Sequence, residues 1–283
     1  MMTASSVHVV IVHLFPELLN LYGDRGNIAT LAHRASWRGF EVEVRGVEED
    51  DGAKLKGADV VFIGGGPDRQ QIAAAKGLDK LGGKLHDAIA EGASLIAVCG
   101  GYQNVGHRYH SSLAGDLAGP GILDVWTEAP DGSDRVVGGV ELTLEQASPI
   151  AAAGRDSAKR AGFGGQERTI VGFENHSGRT VLGPGVRPLG AVTPGHGNTG
   201  SSGGEGAVAM PGEGGIAGLR MGTYLHGPVL PRNPHLADFV LLCALARKGV
   251  TELAQLSDED EWEAHVSFAG RWREVAAAGT SRR

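Results

Sequence analysis

An open, mostly parallel α/β sheet flanked by helices, followed by a strand-rich second half, is the fold this sequence predicts. Three observations carry the prediction: short β-branched runs recur through the first hundred residues, helix-length segments separate them, and glycines gather at the ends of the apolar runs. Glycine supplies 46 of the 283 residues, about twice the usual ~7%, and its clustering marks turns rather than a low-complexity repeat. A hydrophobic content of 41% against 21% charged is enough to bury a substantial core.

The runs, in order, are VHVVIV (7–12), FEVEV (40–44), DVVFIG (59–64) and SLIAV (94–98). Their alternation with helical stretches predicts parallel βαβ units. Between the third and fourth, Pro67-Asp68 signals a helix start, and Ile72, Leu78, Leu81, Leu85 and Ile89 form a broken apolar face. Gly77 and Gly82-Gly83 are expected to split this stretch into two helices. After about residue 115 the pattern turns to short strands, VVGGVELTL (136–144), RTIVGF (168–173) and GIAGLRMGTYLHG (215–227). TPGHGNTGSSGGEG (193–206) has the composition of a flexible surface loop. Asn233-Pro234 then caps the helix HLADFVLLCALARKG, which Gly249 ends and whose Cys243 faces the core. The expected domain therefore spans residues 7–249, and 250–283 is a partly helical extension.

Composition excludes several classes. A net charge of −7 leaves no electrostatic footprint for nucleic acid, and no apolar run approaches the ~20 residues a membrane span needs. The run at 7–12 is too short for a signal-peptide core, and two distant cysteines make no disulfide framework, so a cytoplasmic protein is expected.

One of those cysteines stands at a corner. In ASLIAVCGGYQ an apolar strand ends at Cys99, two glycines follow, and a helix begins. Small residues on both sides of a nucleophile let a strand-to-helix turn close and substrate approach. The following helix is expected to aim its amides and positive dipole end at the sulfur, favouring thiolate. GGGPD, ending the neighbouring strand, offers bare N–H groups at Gly65 and Gly66 that could, with the amide of Gly100, hold an oxyanion. It matches neither G-x-G-x-x-G nor a P-loop. A base is then needed. His226, delivered by TYLHGP to a Gly-Pro turn, is the leading candidate and His176 its strongest competitor; His107 and His110 lack a third ligand for a metal.

VCGGYQ, GGGPD, GFENHSGRT, GNTG (197–200) and TYLHGPVLPRNP, together with LFPELLNLYGDRGNIATL (14–31), resemble the class I glutamine amidotransferases of the cobyric-acid-synthase type. Within them they are most similar to the glutaminase subunits of lipid II isoglutaminyl synthases. The resemblance implies the class I glutamine amidotransferase fold, Cys99 as nucleophile attacking the side-chain amide of L-glutamine, and His226 as proton shuttle. It implies a substrate-binding set of Arg135, Gly65, Gly66, Gly100 and Gln103, with the Arg135 guanidinium suited to an α-carboxylate. No cofactor is implied in this chain. ATP and Mg belong to the implied partner, a MurT-type, Mur-ligase-like subunit of a heterodimer, through which lipid II at the inner membrane face would be reached. One departure is plain: where many relatives carry a glutamate two residues after the histidine, this chain has Pro228. The site would then be a Cys99–His226 dyad, or would borrow an acid from this chain or the partner. The alternatives are a corrinoid-amidating glutaminase, a cysteine hydrolase of other substrates, and a non-enzymatic module binding an anion at the glycine loop.

Overall fold

The computed structural model describes residues 7–111, 113–129, 135–200, 203–210 and 218–280. In chain order the first half runs β1 (His8–Leu14), α1 (Arg25–Ser36), β2 (Glu41–Val47), β3 (Val60–Ile63), α2 (Asp68–Ala90), β4 (Ser94–Val98) and α3 (Gly100–Asn104). Then come β5 (Arg108–Ser111), β6 (Gly115–Ala118), β7 (Val125–Glu128), β8 (Val136–Thr143), α4 (Pro149–Arg160), β9 (Thr169–His176) and β10 (Arg179–Leu182). The remainder is β11 (Gly190–Val192), β12 (Gly204–Glu205), β13 (Ala207–Ala209), β14 (Arg220–Thr223), β15 (Leu225–His226), α5 (Pro234–Leu245) and α6 (Glu259–Thr280).

The main sheet has the order β13-β14-β4-β3-β1-β2, parallel throughout except for β13 at one edge. β3 and β4 are buried along their whole length and β1 nearly so, which is why they read as continuous apolar runs rather than alternating ones. Two smaller sheets make the strand-rich half: β10-β7-β5-β6, and an antiparallel β12-β11-β8-β9-β15.

Two expectations are corrected here. The stretch after Pro67 is one helix, α2, not two. Its buried positions Gln71, Ala74, Ala75, Leu78, Leu81, Leu85 and Ala88 keep one face against the core across all three glycines, and an interior glycine costs only ~1 kcal/mol. Gly77 is there for packing, since a Cβ would lie 2.7 Å from Phe15 Cε1. The glycine-rich segment 193–206 is no loose surface loop over its described residues. Asn198 and Glu205 within it are buried. Asn198 bonds the backbone of Gly206 through both its Oδ1 and Nδ2, and Glu205 Oε1 accepts from Thr223 Oγ1 at 2.6 Å and from the Tyr224 amide at 2.7 Å.

Beyond residue 250, α6 lies on the antiparallel sheet. Trp262 is fully buried, and Trp272 stands so close over Gly139 of β8 that a Cβ there would meet its ring at 2.0 Å. Arg273 grips Glu141 with two hydrogen bonds. Cys243 is buried in α5, and Gly249 ends that region with φ +79°. No helix among the described residues is long and apolar enough to cross a membrane.

Candidate active site

The carboxyl ends of β1, β3, β4 and β14 lie on one side of the main sheet, and the segments leaving them meet there, as expected for an open parallel sheet. After β4 the chain turns so tightly that Cys99 adopts φ 49°, ψ −107°. Such a left-handed conformation costs a non-glycine residue ~1–3 kcal/mol. The surroundings hold it: the Cys99 amide donates to Thr223 O at 2.8 Å and its carbonyl accepts from Gln103 N at 3.0 Å. Gly101 closes the turn, its amide donating to Gly64 O at 3.0 Å. A Cβ on Gly101 would sit 2.6 Å from Ile63 O.

Cys99, Gly66, Gln103 and Arg135 line one cavity of about 280 Å³, together with His176, Asn175, Gln71 and Tyr109. His226 stands beside it, fully buried. Gly65 is wedged between nucleophile and histidine, for a Cβ there would lie 3.0 Å from His226 Cε1 and 3.1 Å from Cys99 Cβ. Gly100 directs its amide at the Cys99 sulfur. The candidate nucleophile, base and substrate-binding residues are thus placed in or against one pocket, while two details differ from expectation and a third bears on the acid that the sequence left open.

First, the helix after Cys99 has only five residues, too short for its dipole to govern the thiol. Burial pushes the Cys99 pKa up to about 12, with the nearby Asp24 carboxylate adding to the rise. Second, the Gly65 amide does not face an oxyanion: it donates to Asp24 Oδ2 at 2.7 Å. Third, no carboxylate touches His226, whose Nδ1 and Nε2 both lack hydrogen-bond partners among the described residues. Burial, with lesser contributions from His176 and Arg135, pushes its pKa down to about 3. The resting pair is therefore a neutral thiol and a neutral imidazole. Proton transfer between them creates both charges together, and their mutual attraction offsets the desolvation each would suffer alone.

Of the two candidate bases, His176 is the one with a carboxylate near it. Its Nε2 lies 3.7 Å from Glu174 Oε2, while its Nδ1 faces Gly178 O at 2.9 Å and its ring stacks on Tyr224 at 3.7 Å. Burial opposes the charge of Glu174, but the nearby His176 imidazole and hydrogen bonds from His196 and the Gly197 amide outweigh it and hold its pKa down. His107 and His110 pair with Asp124 and Asp116, and no cluster suited to a metal occurs among the described residues.

Sequence reasoning missed Asp24, Glu205, Asn175 and Tyr22. Asp24 is buried, with its pKa pushed up to about 7 by burial against the lowering effect of the Gly65 amide. Glu205 sits beneath the strand that delivers His226. Asn175 holds Arg135, accepting from its Nε at Oδ1 and from its Nη2 at the backbone carbonyl. The sequence signal for Asp24 is the polar-glycine run Gly23-Asp24-Arg25-Gly26 in the segment that leads from β1 into α1.

A family model for the CobB/CobQ-like glutamine amidotransferase domain matches residues 10–234. The chain is 37% identical over 257 residues to the GatD subunit of lipid II isoglutaminyl synthase (glutamine-hydrolyzing) from Staphylococcus aureus, covering 90% of this chain and 93% of that protein. It is 31% identical over 238 residues to the GatD subunit from Streptococcus pneumoniae, covering 84% and 81% respectively. Cobyric acid synthase from Pelotomaculum thermopropionicum matches at 30% identity over 62% of this chain, but over only 31% of its own length. The chain belongs to the CobB/CobQ-like glutamine amidotransferase family, alongside its GatD subunits.

Proposed function

We propose that this chain is the glutaminase subunit of a lipid II isoglutaminyl synthase. The observation that carries the reading is the juxtaposition of Cys99, on its strained turn, with His226 beside a cavity that Arg135 also lines. Arg135 takes the α-carboxylate of L-glutamine, which directs the side-chain amide towards Cys99. His226 accepts the thiol proton as sulfur attacks the amide carbon, then gives it to the departing ammonia. Water attacks the resulting γ-glutamyl thioester, releasing glutamate and restoring the thiol. The Gly100 amide, beside the sulfur, serves as a donor to the developing oxyanion, a role typically worth about 3 kcal/mol. The ammonia passes to a MurT-type ligase subunit, which uses ATP and Mg to activate the D-glutamate carboxyl of the lipid II stem peptide.

Ammonia and glutamate release from L-glutamine, for the wild type and Cys99→Ala, each alone and with a Mur-ligase-like subunit, tests this. Release that requires Cys99, rises with the partner and is followed by lipid II amidation is the expected result. Cys99-dependent release coupled to a corrinoid acceptor instead would move the chain to the cobyric-acid-synthase reading; absence of release from any mixture would end the glutaminase reading.

A further inference from the structure

A histidine that shuttles protons is normally oriented by a hydrogen bond to one ring nitrogen, which fixes both tautomer and tilt. His226 has none at either nitrogen among the described residues. The position two residues on, Pro228, is committed to packing: a Cβ on Gly26 would lie 2.5 Å from Pro228 Cγ, so this proline is pressed onto α1. Among the described residues, therefore, the imidazole is held by something other than an acid.

What touches the ring is Tyr22. Its aromatic ring stands edge-to-face on the His226 imidazole, centroids 4.9 Å apart at 68°. Tyr22 belongs to the short segment between β1 and α1, and adopts φ 55°, ψ 27°, a conformation a tyrosine adopts only when its neighbours impose it. They do so here on both sides. The Leu21 amide donates to Gly65 O at 3.0 Å, and Asp24 Oδ2 accepts from Gly65 N at 2.7 Å, so the segment is clasped to the glycine between nucleophile and base. Phe173 supports the other edge of the Tyr22 ring at 6.1 Å. The Tyr22 hydroxyl accepts from Asn175 Nδ2, and the same Asn175 accepts from Arg135 at Oδ1. Despite these anchors Tyr22 remains 43% exposed, while the imidazole beneath it is fully covered.

We propose that Tyr22 is the positioning residue of His226, and that the chain Tyr22–Asn175–Arg135 couples the seat of the base to occupation of the guanidinium by the substrate's α-carboxylate. This rests on the glutaminase reading for its chemistry. A carboxylate arriving at Arg135 competes with Asn175 for the same N–H groups, so the tie that steadies the Tyr22 ring changes when, and only when, an amino-acid substrate is bound. The groups that face His226 are Cys99 on the turn after β4, His176 on β9 and Arg135 ahead of β8, with Asp24 reached through Gly65. Of this surrounding set, Tyr22 is the aromatic ring set edge-to-face on the imidazole itself.

The test uses the full chain with its ligase partner and two variants. Tyr22→Phe keeps the ring and removes the hydroxyl. Tyr22→Gly removes the ring at a position whose positive φ suits glycine, so the truncation adds no backbone strain; Tyr22→Leu replaces it if that variant does not fold. Tyr22→Phe is expected to hold kcat for glutamine hydrolysis within about two-fold while raising KM roughly 3–10-fold. Tyr22→Gly is expected to lower kcat about 10-fold or more, with the acid limb of its pH profile moved upward as solvent reaches the imidazole.

The titration of the His226 ring, followed by NMR and assigned with His226→Gln, reads the same displacement without turnover, and so separates failure of this proposal from failure of the glutaminase reading. An upward shift of about one pH unit or more in Tyr22→Gly, with none in Tyr22→Phe, is the expected result. A His226 titration that is the same in the wild type and Tyr22→Gly, or a kcat loss in Tyr22→Phe equal to that of Tyr22→Gly, would overturn it.

Discussion

Gly101 shows how little freedom a nucleophile turn leaves. The atoms a Cβ would meet at that position, Ile63 O and Gly64 O at 2.6 and 2.8 Å, are backbone of the neighbouring strand and cannot rotate away. Gly101→Ala is therefore expected to cost about 1–3 kcal/mol or more, seen as a lower midpoint in urea, and to depress glutaminase activity because Cys99 rides on the same turn. An unchanged midpoint would mean the turn is looser than its contacts imply. At this scale Cys99 could be found in the sequence because small residues on both sides of a nucleophile are needed for steric reasons that a local string records. Asp24 and Glu205 could not, since an acidic residue becomes part of a site only when something distant buries it. Asp24 meets Gly65 across 41 residues and Glu205 meets Tyr224 across 19.

At the scale of elements, the last helix is held by a buried charge cluster. Arg34 of α1, almost fully buried, is paired with Asp238 of α5 at 2.7 Å and with Asp258, just ahead of α6, at 2.7 Å. Ser157 of α4 donates to Asp258 Oδ2 at 2.5 Å and accepts from Trp262 Nε1 at 2.9 Å. Removing one carboxylate leaves the guanidinium buried with half its compensation, so Asp258→Ala is expected to destabilise by ~2–4 kcal/mol. The loss should persist in high salt, since a buried pair is little screened; equilibrium unfolding at low and high salt measures both. This helix also explains why a reading of residues 250–283 in isolation ends at "partly helical": Trp262 and Trp272 find their partners in α4 and β8, more than 100 residues earlier. The opposite error, splitting α2 at its glycines, came from weighing local propensity above a buried face that runs unbroken from Gln71 to Ala88.

For the whole molecule, buried histidines set the response to acid. Burial pushes His13 down to about 4 and His226 to about 3, and holds His235 well below its ordinary value. Unfolding exposes all three, so below about pH 6.5 the unfolded state binds more protons and stability falls as pH falls towards the folded pKa values. Asp24 works the other way. Its folded pKa of about 7 means the native state holds that proton between its ordinary value and 7, which favours the fold as pH drops through that range. His265 is lowered by burial as well, while Glu205, Glu48 and Glu261 are raised as Asp24 is. The imidazoles start from an ordinary value inside the interval and carry the larger effect, so the expected outcome is a melting temperature at pH 5 below that at pH 7.5, on the order of 5 °C by calorimetry. A melting temperature that is level or rises towards pH 5 would show that these imidazoles are not neutral in the native state.

The sequence by itself determined the parallel sheet, the corner at Cys99 and the helix that starts at Pro234, because each follows from periodicity or sterics within a window of about ten residues. The Asn233 side chain, expected to cap that helix, bonds Val171 and Val229 instead. Only the tertiary structure decided which groups meet there. β14 leaves the main sheet at Tyr224 and re-pairs as β15 with β9, which sets His226 opposite Phe173 and beside Gly65. The loop after β1 folds back to place Tyr22 over that imidazole, and Glu205 is brought under the strand end at Thr223 and Tyr224. A strand end fixes where a side chain starts, but its neighbours come from chain crossings of tens to hundreds of residues, and their chemistry exists only once burial has removed water from between them.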